Sequence, residues 1–369
     1  MNPNALSTRL GEYISRVLPA AHGHRRKAVA DFAPALVTVR SCSQAALARF
    51  FDNFEAASKR PSRLLHNARL ETDELARAHA RVLCAQLPLA GVVRLSLDRT
   101  TEDSRHLLIA SVRVGGRAVP LYRRAYHDSE LKGRMTGYEL ESVRHLCDEV
   151  LAEVARRRIV PTADGWFADV DLLDLLDESG ISYVIRTKSN YKVRVDAQWR
   201  RLDALGWRGN QRRRAWGRVW YAETDPRRVF LGQARARDAK GRWEVWHLPS
   251  NRPLSAVRMT REYARRFTCE EGFRDPKRLL GFAEARIASV EAWARMFALV
   301  AVALLMLTQM GCALLERADR TGLLRRVRSR RRARSELSLV RSVVELLTKD
   351  ASLWQLLDHH CRLNLEAGL

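Results

Sequence analysis

The sequence predicts an α/β fold, on three observations. Residues 89–189 alternate strand-like and helix-like stretches, residues 190–252 are turn-rich with strand-like pieces, and both ends carry apolar residues at helical three-and-four spacing. Five segments follow: a helical region over 1–88, the first part of an α/β core over 89–189, an all-β insertion over 190–252, the second part of the core over 253–318, and a basic, helical region over 319–369.

In the first segment, Leu10, Tyr13, Ile14 and Val17 mark one helical stripe, and Leu47, Phe50 and Phe51 mark another. Pro61 interrupts the second stretch, and Arg49, Lys59, Arg60 and Arg63 give one edge a positive field. The core opens with GVVRLSLDRT, where Val93, Leu95 and Leu97 share one strand face and Asp98 follows. HLLIASVRVGGRAVPLYRRAY then reads as two strands joined at Gly115-Gly116. Residues 137–158 form an amphipathic helix with the stripe Leu140, Val143, Leu146, Val150, Leu151 and Val154. RIVPTADGWF supplies a short strand running to Asp164, DVDLLDLLDESG a helix closed by Gly180, and SYVIRTK another strand. The insertion carries RVWYAE, RVFLGQARAR and RWEVWHL.

A run of 20 uncharged residues, Met296 to Leu315, has nominal bilayer length. Its alanines, together with Gln309 and Gly311, favour a buried helix packed on a sheet over a membrane span, so no membrane partner is expected. For the terminal helices, dimerisation and packing back on the same chain both stay open.

The chain of 369 residues carries 65 Lys+Arg against 42 Asp+Glu, a formal charge of +23. Such an excess favours a polyanion, and nucleic acid first among them. Arginine outnumbers lysine, which suits phosphate because a guanidinium forks onto its oxygens. Cys42, Cys84, Cys147, Cys269, Cys312 and Cys361 are scattered without a C-x-x-C pair, so neither a zinc site nor a disulfide framework is expected and a reducing cytoplasm fits. The N-terminal MNPNALSTRLGEY lacks a basic start followed by an apolar run, so no signal peptide is expected.

The most specific signal is YARRFTCEEGFRDPK, which spaces Tyr263, Arg266, Glu270 and Lys277 as Y-x2-R-x3-E-x6-K. On a helix the first three share a face, and Lys277 lies two turns beyond Glu270. Glu271 breaks that spacing and points about 100° away. The pattern resembles the Tyr-Arg-Glu-Lys motif of DDE insertion-sequence transposases, where the glutamate is the third catalytic acid. The order of three strands, helix, strand, helix, strand is that of an RNase H-like fold. Its strands carrying Asp98 and Asp164 are neighbours, and its last catalytic helix here follows the all-β insertion. The stretch near residue 50, Ala48-Arg49-Phe50-Phe51-Asp52-Asn53, is similar to the helical DNA-binding domain of the same transposases.

The resemblance implies catalytic and metal-binding roles for Asp98, Asp164 and Glu270, which would hold two Mg2+ ions, with Mn2+ able to substitute. Hard oxygen donors suit such ions. One ion would activate water or a DNA 3′-hydroxyl, and the other would stabilise the leaving oxygen. Tyr263, Arg266 and Lys277 would contact phosphates near a transposon end. In relatives with a β insertion, a tryptophan of that insertion stacks on a flipped base; Trp243 and Trp246 are the two candidates here. Each acid also has a plain reading: Asp98 as a strand-end turn residue, Asp164 as a helix N-cap, Glu270 as an ion-pair partner of Arg266.

The function expected from the resemblance is cut-and-paste transposition: binding terminal inverted repeats in double-stranded DNA, cleaving at the element ends and joining 3′ ends to target DNA. The expected assembly is a homodimer in the synaptic complex, at the nucleoid of a bacterial cytoplasm. An RNase H-like nuclease without strand transfer, and an inactive transposase-derived DNA-binding protein, are the alternatives.

Overall fold

The computed structural model describes residues 3–51, 53–86, 91–114, 117–167, 169–207, 209–237, 241–267, 274–327 and 338–358. Glu270, the Gly115-Gly116 turn and most of the basic run after Arg325 lie outside them. The chain is a mixed α/β structure that divides into two units. One comprises residues 1–89, 101–128 and 270–369, the other residues 90–100 and 129–269. The N-terminal helices, one hairpin and the C-terminal region therefore share a single unit.

In the first unit, helices α1 (Pro3–Val17), α2 (Gly23–Val39), α3 (Gln44–Ala48), α4 (Phe54–Ala57), α5 (Arg60–Leu65) and α6 (Thr72–Ala85) precede an antiparallel hairpin. Pro61 falls in the first turn of α5, where a missing N–H costs nothing. The hairpin pairs β2 (Arg105–Val114) with β3 (Arg117–His127) and shifts register between Ala110 and Ser111. The later helices of this unit are α11 (Val290–Glu316), α12 (Arg320–Arg325) and α13 (Leu339–Lys349).

The uncharged run is the heart of α11. Its most apolar 18-residue window is 94% buried, although by length and composition the helix could cross a membrane. It packs on β3, α2, α6 and α13, and each fully buried Leu, Val or Phe contributes about 1.5–3 kcal/mol. Ser289 caps it, accepting from the Ala292 N–H at 3.2 Å. Its polar residues are satisfied inside the unit: Gln309 accepts from the Tyr13 hydroxyl, and the Thr308 hydroxyl donates to the Leu304 carbonyl at 2.7 Å. Gly311 permits a close approach, since a Cβ there would lie 2.6 Å from Leu339 Cγ on α13. Of the two roles left open for the C-terminal helices, α13 takes the second, packing back on its own chain.

In the second unit, β1 (Val93–Glu102, whose last two residues pass into the first unit) pairs in parallel with β4 (Ile159–Ala163), from Val93↔Ile159 to Leu97↔Ala163. Between them lie α7 (Asp128–Leu131), which starts at the unit boundary, and α8 (Met135–His145), which continues as a wider π turn over Leu146–Val150. Helix α9 (Val170–Glu178) follows β4 and ends at Gly180, whose φ of 65° only glycine adopts readily.

The stretch expected as a strand, SYVIRTK, forms no regular ladder. Its amides alternate between two neighbours instead. Val184 and Arg186 donate to the Pro161 and Ala163 carbonyls of β4, and Ile185 and Thr187 donate to Pro249 and His247. It acts as a seam between β4 and a five-stranded antiparallel sheet of order β6-β5-β7-β8-β9. That sheet comprises β5 (Lys192–Val195), β6 (Gln198–Arg201), β7 (Arg213–Tyr221), β8 (Arg227–Arg237) and β9 (Trp243–Ser250). Helix α10 (Ala256–Ala264) lies on β7, β8 and β9, and Met259 and Tyr263 join Val184, Ala234, Trp246 and Leu248 in one core cluster.

Candidate active site

Asp98 and Asp164 each follow the last paired residue of the β1–β4 ladder, Leu97 and Ala163. Parallel pairing keeps a constant offset, so the two carboxylates leave the sheet level with one another at its carboxyl end, where ligands of open α/β sheets bind. Arg266 joins them. Its Nη2 lies 3.3 Å from Asp98 Oδ2 and 3.2 Å from Asp164 Oδ2. Both oxygens thus reach a single nitrogen, and their separation is at most the sum of those two distances. The guanidinium is nearly buried, at 7% side-chain exposure, against 16% for Asp98 and 28% for Asp164.

The remaining carboxylate oxygens are fixed locally. Asp98 Oδ1 accepts from the Arg99 amide at 2.8 Å, and Asp164 Oδ1 accepts from the Trp166 amide at 3.0 Å. The helix after β4 is capped by Asp169, not Asp164; its side chain accepts from the Asp171 N–H at 3.2 Å. Asp164 therefore keeps one oxygen directed at Arg266 while the other orders its own turn. Two carboxylates sharing one cation form a ready-made site for positive charge.

A third acid of this unit stands nearby, and the sequence pattern missed it. Glu139 on α8 is 6% exposed and receives the Arg99 guanidinium at 3.1 Å. Burial pushes its carboxyl up to about 7; Arg99 counters the rise, and the negative charges of Asp164 and Asp169 add to it. Arg99 also lies over the Trp166 ring at 5.7 Å, with the Lys188 ammonium at 4.5 Å from the same ring. Trp166 is 65% exposed, so an open indole flanked by two cations stands beside Asp164.

The motif residues do not share one regular helix. Tyr263 lies on α10, which ends at Ala264; Arg266 lies on a tighter 3-10 turn over Arg265–Phe267; and Lys277 lies on a π turn over Asp275–Leu279. Tyr263 is 1% exposed, with its hydroxyl bonded to Arg186, and burial raises its pKa. Arg266 meets both aspartates. Lys277 belongs to the first unit, 3.4 Å from Glu102, and Glu270 lies outside the described residues. Among the described residues no group of three His, Cys, Asp or Glu side chains could hold a metal ion.

The two tryptophan candidates part company. Trp246 is core, 5% exposed, edge-on to Tyr263 at 4.9 Å and stacked on Phe267 at 5.5 Å. Trp243 is 53% exposed and flanked by Arg237 and Arg212 at 4.7 and 5.6 Å. A cleft of about 640 Å³ opens beside Asp164, lined among others by Trp166, Arg186, Lys188, Trp207 and His247. Burial, helped by Arg186, pushes His247 down to about 4, so it is neutral at pH 7.

No curated protein matches the chain. Residues 138–306 match the family model of the transposase DDE domain, a span that begins after Asp98 and includes Glu139, Asp164 and Arg266, and this match supports a DDE transposase.

Proposed function

We propose that the chain is a cut-and-paste DNA transposase that binds terminal inverted repeats, cleaves at the element ends and joins the 3′ ends to target DNA. The observation that carries this reading is the convergence of Asp98 and Asp164 on Arg266 at the end of one parallel strand pair. The parallel β1–β4 pair, the β2–β3 hairpin, and α8 and α9 support reading residues 89–189 and 253–318 as an RNase H-like core, with β5–β9 as its all-β insertion.

The donor chemistry fits a divalent ion. The groups are hard carboxylate oxygens, partly open to solvent, and they already share one positive charge. Asp98, Asp164 and Glu270 would hold Mg2+ or Mn2+. When bound, such ions supply nucleophile activation and stabilisation of the leaving oxygen in phosphoryl transfer. The protein's own contribution is positional. Asp98 and Asp164 are set by the ladder, and Arg266 is the near-buried cation that turns from the carboxylates to a phosphate of bound DNA. Lys277 adds a second phosphate contact, Trp243 is the better placed of the two insertion tryptophans to meet a base, and Tyr263 supports Arg186 from the core. Residues 1–88 bind the repeat, and two copies act together in synapsis.

The test supplies Mg2+ or Mn2+ and DNA carrying the inverted repeats that flank the gene. Formation of joined products, followed by gel and sequencing, is the expected result. Cleavage without joining would favour a nuclease, and binding without cleavage a DNA-binding descendant.

A further inference from the structure

Helix α10 and its core cluster cover one face of the insertion sheet over β8 and β9, and toward β5 and β6 the same face is open and built from cations and aromatic rings. Register places Trp199 opposite Arg194, Arg194 opposite Trp220, and Trp220 opposite Arg228. Directly paired residues share a face, so a row of alternating indole and guanidinium groups crosses β6, β5, β7 and β8. Arg228 lies over the Trp220 ring at 4.8 Å. Two residues along each strand the same face continues with Arg201, Lys192 and Arg218, and at Phe230 it meets the core cluster under α10, while Val193, Val219, Tyr221, Val229 and Leu231 are buried on the other face.

Among the described residues no acid occupies a paired position of this row or of the one beside it, and Asp196 lies in the turn beyond Arg194. Lys192 and Arg201 are paired at the margin, with Glu223 and Asp203. Among the described residues Arg194, Arg218 and Arg228 form no ion pair, and all three are exposed, as is Trp220 at 37%. A sheet surface with rings but no charge would suit an apolar partner, and one with charge alone any polyanion. Rings alternating with unpaired guanidinium groups suit a chain in which flat bases alternate with phosphates. The strands lie about 4.8 Å apart, so the row offers several stacking and phosphate positions over a short path.

We propose that this open face binds single-stranded DNA, with bases stacked on Trp220 and Trp199 and phosphates held by Arg194, Arg218 and Arg228. The inference goes beyond the transposition chemistry: it requires no metal, no cleavage and no terminal repeat, so its failure leaves the active-site reading standing and the reverse also holds.

The experiment measures binding of the full chain to a labelled eight-nucleotide oligothymidylate in EDTA, by fluorescence anisotropy and tryptophan quenching. Wild type is expected to bind, more weakly as salt rises. Trp220→Ala is expected to weaken binding about 5- to 100-fold, with Trp220→Phe restoring most of it, and Arg194→Ala with Arg228→Ala to flatten the salt dependence. Thermal melting checks that each variant folds, and a variant that does not fold is replaced by Trp199→Ala. Unchanged binding by the folded Trp220→Ala and Arg194→Ala/Arg228→Ala proteins would overturn the proposal and leave the row as a cross-strand ladder that only stabilises the sheet. Equal binding and equal loss with a polyglutamate peptide of matched charge would overturn it in favour of an acidic protein partner. Loss confined to a duplex of the same length would overturn it in favour of duplex binding.

Discussion

Asp98 and Asp164 stand level with one another because Leu97 pairs with Ala163 in a parallel ladder that ends just before both. The ladder, and no loop, sets their spacing, and Arg266 meets both oxygens at nearly equal distance. Strand ends are stiff compared with loops, so the pair is held in place before any ligand arrives.

Removing the shared cation should expose this balance. Arg266→Ala leaves two carboxylates facing each other, and is expected to lower stability by about 3 kcal/mol. Millimolar Mn2+ is expected to recover part of that loss, because a divalent ion supplies the missing charge. Urea unfolding with and without Mn2+ checks both effects, and the recovery should vanish in Arg266→Ala/Asp98→Ala.

Glu139 makes stability depend on pH in a defined direction. Its folded pKa is raised from 4.5 to about 7, so its contribution is complete below about 4.5 and lost as pH rises through about 7. His79 and His247 act oppositely: burial lowers them from 6.5 to about 3 and about 4, so their contribution is present above 6.5 and lost as pH falls. The clean test is therefore a difference curve. Glu139→Gln is expected to gain on the wild type by about 1–3 kcal/mol between pH 5 and 8, measured by denaturant titration at each pH. A flat difference would show that Glu139 titrates normally.

The two insertion tryptophans should separate in stability. Trp246→Ala removes a core ring and is expected to cost about 3–5 kcal/mol. Trp243→Ala loses an exposed ring between two arginines and is expected to cost about 0.5–1 kcal/mol. Chemical unfolding of the two variants side by side is the measurement.

Gly311 on α11 lies against Leu339 on α13, where an added Cβ would come within 2.6 Å of Leu339 Cγ. Gly311→Ala adds helix propensity worth about 1 kcal/mol but drives a methyl into Leu339 Cγ, and overpacking of this kind costs about 1–3 kcal/mol. A net loss is expected, partly relieved in Gly311→Ala/Leu339→Ala. A double-mutant cycle of unfolding free energies reads the coupling.

Much of this was legible in the sequence where one period dominates. Val93, Leu95 and Leu97 alternate into β1, the uncharged run fills α11, Asp164 follows its strand directly, and Asp98 lies within β1 just past its pairing with β4. Glu139 was hidden because it sits on the buried side of α8, three and four residues before Ser142 and Val143, where pattern reading expects an apolar residue. Trp166 lies in a turn with no period, so its neighbours Lys188 and Arg99 come only from the fold. The spacing of the motif predicts one helix, yet α10 ends at Ala264 and Arg265–Phe267 forms a tighter 3-10 turn, and no propensity signal at Arg265 marks that change. The seam at 182–188 is extended in sequence terms, but its bonds alternate between two neighbours and so form no ladder.

The most direct test of the central claim is metal-dependent cleavage of DNA carrying the element ends, compared across wild type, Asp98→Asn and Asp164→Asn. The account requires cleavage by the wild type in Mg2+ or Mn2+ and a loss of at least about 100-fold in each variant, with all three proteins folded. Cleavage that persists in Asp98→Asn or Asp164→Asn would contradict it.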